Sequence, residues 1–202
     1  SDPIESANVA VGLVRDGQAD ILMKGLIKTA DLLRAILNRE TGIRGDGIMS
    51  HVSILRNLKW DRTFILTDVA MVTYPDLSAK VQLVKSAVDF AHKFGIPNPL
   101  VAPLASVEVV NPQMQATLDA AELTRMNRDG EIMGCIIDGP ISYDLAVSAD
   151  AAIAQGFKSP VAGNADILLF PSIVAGNMTL TSMTMFGYFV FCGVLVGSAA
   201  QI

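Results

Sequence analysis

Short apolar runs alternate with longer stretches of helical period along this chain, and that alternation most constrains what it can fold into. Thr63–Leu66, Leu100–Leu104, Ile132–Ile137 and Ile167–Phe170 are nearly uninterrupted in their apolar character. A strand facing water on one side alternates polar with apolar residues, whereas one buried on both faces does not, and the latter is the habit of parallel sheets. Between these runs, Ser78–Phe94 sets Val81, Val84, Val88 and Ala91 on one helical face and ends at Gly95. Gln113–Asn127, closed by the turn Arg128-Asp129-Gly130, and Tyr143–Gln155 also read as helices. Upstream, a helix is expected at Ser6–Asp16 with Gly17 as its C-cap, a strand at Asp20–Met23, a helix at Ala30–Asn38 and a weaker strand at Gly47–Leu55. Downstream, Met178–Phe186 is expected to be helical and Phe189–Val196 a last, buried parallel strand. The fold class is therefore α/β, with mainly parallel sheets.

Composition narrows the function. Of 202 residues, 51% are apolar and only 17% charged, which excludes disorder for most of the chain. The net charge of -5 argues against nucleic acid as a partner. Cys135 and Cys192 both lie in apolar runs and are expected to be buried thiols, which fits a reducing, cytoplasmic setting. The N-terminus is acidic where a secretory signal would be basic. It also lacks a starting Met, so a processed or trimmed chain is expected. No charge occurs from Ile167 to Ile202, and Met183–Ala200 is long enough to cross a bilayer. Interruption by Gly187, Gly193 and Gly197, and the lack of flanking Lys or Arg, favour a helix end followed by a core strand and no membrane partner; a membrane anchor is the alternative.

In a parallel sheet, ligands bind at the loops that follow the carboxyl ends of strands. The loops so placed are Lys24–Thr29, Thr67–Asp76, Ala105–Pro112, Asp138–Asp144 and Pro171–Asn177. The first is the best candidate for an anion site, with solvated charges and the cap of an ordinary helix as the alternative. Gly25 permits close backbone approach, Thr29 stands where an N-cap would stand, and Lys24, Lys28 and Arg34 bring positive charge. Asp138 and Asp144 form a possible carboxylate pair, although turn and cap roles for Asp138–Ser142 explain that segment as well. His92, near a helix C-terminus, is explained by the dipole, and His51 begins a strand and can face a cleft. Cys135, in mid-strand, reads as inert. No nucleophile elbow, phosphate-binding Walker loop, Cys-x-x-Cys pair or dinucleotide fingerprint is present, and no metal site is expected. Gly17-Gln-Ala-Asp-Ile-Leu22 resembles Gly163-Asn-Ala-Asp-Ile-Leu168. Both read as a Gly turn opening a buried strand.

Several segments in fixed order carry a wider resemblance. ADILMKGLIKTADLLRAILNRETGIR, SHVSI, TDVAM, VEVVNPQMQATLDAAEL, DGPISYDLAVS, SPVAGNADILLFPSIVAGN and GVLVGSA together make the chain resemble the phosphate acetyl/butyryltransferases, nearer the butyryltransferase branch. The resemblance implies a two-domain α/β/α fold similar to isocitrate and isopropylmalate dehydrogenases, with an active site in the interdomain cleft. It implies transfer of a short acyl group between coenzyme A and inorganic phosphate, with coenzyme A as substrate and no cofactor. It also implies a homodimer or higher homo-oligomer. By motif match, Gly25, Lys28, Thr29 and Arg34 fall where the family contacts phosphate or coenzyme A, and Gly176-Asn177 matches its cleft-facing Ala-Gly-Asn turn.

Two departures accompany the match. The family's catalytic Ser, Arg and Asp come from a Ser-Arg-x-Asp-Ser-type motif that this chain does not contain before Gln201-Ile202, so no catalytic residue is assigned. The usual Tyr-Lys after Ala-Gly-Asn is replaced by Met178-Thr179. The resemblance divides the chain into residues 1–28 and 173–202, part of a first domain, and 29–172, a second domain. A catalytically incompetent fragment, or a diverged non-catalytic homologue acting in binding or assembly, is the alternative reading.

Overall fold

A computed structural model describes residues 2–45, 47–200 and 202. The chain forms two compact units, Ser1–Met49 with Val194–Ile202, and Ser50–Gly193. The expected limits at 28/29 and 172/173 thus each fall within one unit.

The first unit is built on two helices. α1 (Pro3–Arg15) starts with Pro3 in its first turn, and the Asp2 carboxylate accepts from the Ile4 amide. Gly17 then takes φ 70, the left-handed turn expected of it. α2 (Thr29–Ile36) is short, and Leu32, Ala35 and Ile36 are buried in this unit along with Ala7, Val11 and Val14 of α1. The expected strand at Asp20–Met23 is absent; only Ile21 makes an isolated bridge. At the far end of the sequence, Ala199 N–H donates to the Ile43 carbonyl at 2.9 Å.

The second unit holds a six-stranded sheet. Its strands are β1 (Ser50–Asn57), β2 (Arg62–Thr67), β3 (Leu100–Pro103), β4 (Ile136–Ile137), β5 (Ile167–Leu169) and β6 (Phe189–Val196), the last of which continues past Gly193 into the first unit. The order across the sheet is β4-β3-β5-β2-β1-β6. β2, β5, β3 and β4 run parallel, as their apolar runs imply, and β1 is antiparallel to β2 with Ser53 opposite Leu66. One face carries Leu55, Phe64, Leu66, Ala102 and Leu168 into a core closed by Ile141, Leu145, Ala146 and Met183. Strand alternation sends Ile65 and Ile167 to the other face, where α3 (Leu77–Lys93) presents Leu83, Val84, Ala87 and Ala91. Asp76 caps α3 by accepting from Ala79 N–H at 2.8 Å, and Gly95 leaves it at φ 95. Lys80 of α3 and Asp119 of α4 (Gln115–Arg128) make a buried ion pair, and Gln115 Nε2 donates to the second oxygen of Asp119. That extra donor matters, because a buried carboxylate needs each of its oxygens occupied.

Four expectations give way here. The Ile132–Ile137 strand shortens to β4 because the Asn127 side chain replaces its ladder: it donates to the Ile132 and Cys135 carbonyls and accepts from Ile137 N–H. The Tyr143–Gln155 helix is two helices, α5 (Tyr143–Val147) and α6 (Ala149–Ala154), parted by an extended Ser148 whose hydroxyl caps α6. α7 (Ile173–Phe186) starts five residues earlier than expected, capped by Ser172. Finally, β6 is no buried central strand. It lies at the sheet edge, outside β1, so Val190 and Phe191 are exposed and Cys192 is an exposed thiol. Among the described residues, no helix is long and apolar enough to cross a membrane.

Candidate functional site

The parallel strands bring their carboxyl ends to one edge of the second unit's sheet. The segments that follow them there are 68–76, 104–114, 138–142 and 170–172. Because β1 runs antiparallel to β2, its first residues, Ser50 and His51, reach the same edge.

Asp68 organises this edge. It directly follows β2 and is 1% exposed. One carboxylate oxygen accepts from Ala70 N–H at 2.7 Å and Met71 N–H at 2.8 Å. The other accepts from His51 N–H at 3.0 Å. Three backbone donors thereby replace the water that a buried carboxylate loses. The start of α7 packs on the same turn. The Asn177 side-chain amide donates to the Val69 carbonyl at 3.3 Å. A Cβ at Gly176 would lie 2.6 Å from the Asp68 carbonyl oxygen, so only glycine lets the helix approach this closely. Gly176 and Asn177, expected in a turn, are therefore helical residues, and glycine serves close packing there.

Next to Asp68, His51 Nδ1 lies 3.2 Å from the Ser53 hydroxyl, and Ser53 is fully buried. Burial lowers the imidazole pKa from its ordinary value, and the Asp68 charge pulls in the opposite direction. Ser50 and Thr67 hydroxyls are also buried, and neither has a hydrogen-bond partner among the described residues.

The other expected site residues lie in the first unit. Lys28 is the N-cap of α2, and it makes no side-chain capping bond. Thr29, expected at the cap, is instead the first helical residue, so the amides of this first turn are left without a capping side chain. Arg34 pairs with Asp31 at 3.0 Å, one turn back, and its side chain stays 68% exposed. Gly25 has open space where a Cβ would be, so no close contact requires glycine there. Lys24 Nζ donates to the Gly25 carbonyl at 3.2 Å.

Charge separates the two candidate regions. The segments 68–76, 104–114, 138–144 and 170–177 contain no Lys or Arg, whereas Lys24, Lys28 and Arg34 gather around the start of α2. Asp138 and Asp144 are not brought into a pair by any shared contact; Asp144 accepts from Gln155 Nε2. His92 Nε2 meets the Gly134 carbonyl at 2.8 Å, a tertiary contact beyond the dipole. Cys135 is buried and its thiol is pushed up to about 11, which keeps it protonated and inert. Among the described residues, no group of three or more His, Cys, Asp or Glu is placed to hold a metal ion.

Known proteins are similar to this chain over nearly all of its length. A family model described as "Phosphate acetyl/butaryl transferase" matches residues 4–202. The chain belongs to this family. The phosphate butyryltransferase of Clostridium acetobutylicum is 46% identical over 198 residues, covering 98% of this chain and 66% of that protein. The phosphate acetyltransferase of Thermotoga maritima is 43% identical over 176 residues, 87% of this chain and 60% of that protein. The chain thus spans about two thirds of the length of such curated relatives. Among solved structures, a branched-chain phosphotransacylase from Enterococcus faecalis matches with a TM-score of 0.92 at 36% identity, covering 100% of this chain and 72% of that one.

Asp68 and Ser53 were not singled out from the sequence. The available signal was Thr67-Asp68, a polar pair set directly at the end of a buried run. Gly176→Ala tests the packing of α7 on this turn. Helix propensity alone favours Ala by about 1 kcal/mol. Overpacking against the Asp68 carbonyl is expected to outweigh it, for a net loss of about 1–3 kcal/mol in urea unfolding. A more stable variant would contradict the close approach.

Proposed function

We propose that this chain is a phosphate acyltransferase, moving a butyryl or acetyl group between coenzyme A and inorganic phosphate. The observation that carries the reading is identity of 46% to a phosphate butyryltransferase across 98% of the chain. Acyl-coenzyme A and phosphate are the substrates and no separate cofactor takes part.

In the direction of thioester formation, a carboxylate takes the proton of the coenzyme A thiol, and the sulfur attacks the acyl carbon of the acyl phosphate. The new C–S bond forms, the bond from that carbon to the phosphate oxygen breaks, and phosphate leaves. Holding both substrates in one orientation supplies much of the rate. The start of α2 supports phosphate binding. Its first turn has no side-chain cap, Lys28 and Arg34 are exposed, and among the described residues Arg34 is held by a surface pair with Asp31 that an incoming anion can replace. A guanidinium grips phosphate through two parallel N–H donors.

Assembly into a homodimer or higher homo-oligomer belongs to the same proposal. The exposure of Met178, Met185, Phe186, Val190 and Phe191 on α7 and β6 favours it, since single chains rarely leave so much apolar surface in water. Sedimentation at micromolar concentration is expected to give a species heavier than 21.4 kDa; a monomer would contradict assembly. For the reaction, thiol release from butyryl- or acetyl-coenzyme A should require phosphate. Arg34→Ala should lower kcat/KM by about ten- to a hundredfold, the worth of a charge-assisted hydrogen bond. Absence of phosphate-dependent release would favour the non-catalytic alternative. Release unchanged by the substitution would remove Arg34 from the phosphate site.

A further inference from the structure

His51 occupies an unusual position within the second unit. Its backbone N–H binds the Asp68 carboxylate, its Nδ1 meets the Ser53 hydroxyl, and its ring lies directly beneath the edge strand β6. A Cβ at Gly193 would fall 2.5 Å from His51 Nε2 and 2.6 Å from Cε1. The strand therefore crosses the imidazole at a distance only glycine allows. Among the described residues β6 has β1 as its one neighbour in the sheet; Phe189 at its start packs on Trp60 and Phe64, whereas Val190, Phe191 and Cys192, next to Gly193, are exposed.

We infer that His51 is an acid-sensitive latch: its neutral ring holds β6 against β1 beside the Asp68 turn, and its protonation releases that strand. A neutral ring has one N–H and one bare nitrogen, and the Ser53 hydroxyl, which can donate or accept, meets Nδ1 in either tautomer. A charged ring carries N–H on both nitrogens, and the surface facing Nε2 is Gly193, which offers no side-chain acceptor. From β1 the ring meets Ser53, from β6 it meets Gly193, and the charged group facing it among the described residues is Asp68, at the end of β2. Asp68 is already engaged by Ala70 and Met71, so a charged His51 must compete for it by moving.

The sign of the pH dependence follows. Burial places the folded pKa below the unfolded one. The latch thus contributes fully above the ordinary histidine value of about 6.5 and is lost as the pH falls below it.

Amide hydrogen exchange on the 202-residue chain reads this directly. After correction for intrinsic rates, protection of Phe189–Gly193 should fall by up to about tenfold per pH unit between about pH 6.5 and the lower His51 midpoint of the folded chain and level off below it, while protection of β2 stays constant. In His51→Phe, which keeps a ring and loses the proton site, protection of β6 should not change with pH. Unchanged wild-type protection, or the same pH dependence in the variant, would overturn the latch. Proton NMR titration of the wild-type imidazole gives a second measurement that needs no altered His51. The chain has only two histidines, so His92→Gln assigns the signals. A midpoint below 6.5 is expected, and one at or above 6.5 would overturn the proposal.

Discussion

The carboxylate of Asp68 sits out of water where β2 ends, and the amides of His51, Ala70 and Met71 converge on it. Much of the second unit's carboxyl edge depends on that arrangement. It fixes the turn after β2, ties the start of β1 to that turn, and leaves the Asp68 and Val69 carbonyls facing α7. A buried carboxylate left without such donors would be strongly destabilising, so the site and the fold are coupled through one side chain. Gly176 and Asn177 complete the coupling from the helix side, the first by having no side chain and the second by reaching back with its amide.

The distribution of charge separates tasks along the chain. The second unit's edge is rich in carboxylates and backbone turns and has no free cation in its loops; its nearby Lys80 is consumed by Asp119. The first unit's α2 offers the reverse, with uncapped amides and exposed cations.

The alternation of apolar runs made the parallel core strands and α3 legible, because burial on two faces leaves a pattern that the sequence must carry. Local grammar was less informative. Gly17 and Gly163 both take φ 70 and open nearly the same six residues, yet Ile167–Leu169 is a central strand and Asp20–Met23 is not. The difference lies in the neighbours: β5 is inserted between β2 and β3, whereas Ile21 makes a single isolated bridge. β6 was misread as buried for the same reason, since a β-branched and aromatic run does not reveal whether one or two strands border it. Thr29, Arg34, Gly176 and Asn177 were visible as motif residues. Asp68 was hidden because its importance rests on amides from His51, Ala70 and Met71, and backbone donors leave no trace in residue identity.

Amide hydrogen exchange in Asp68→Asn is the most direct test of this account. Asn cannot accept from all three amides without turning a donor toward one of them. The amides of His51, Ala70 and Met71 should lose protection, and Gly176 at the start of α7 should lose it with them, while Val101 and Ile137 in β3 and β4 keep theirs. Loss confined to Ala70 and Met71, with α7 unaffected, would contradict the claim that Asp68 holds the carboxyl edge together.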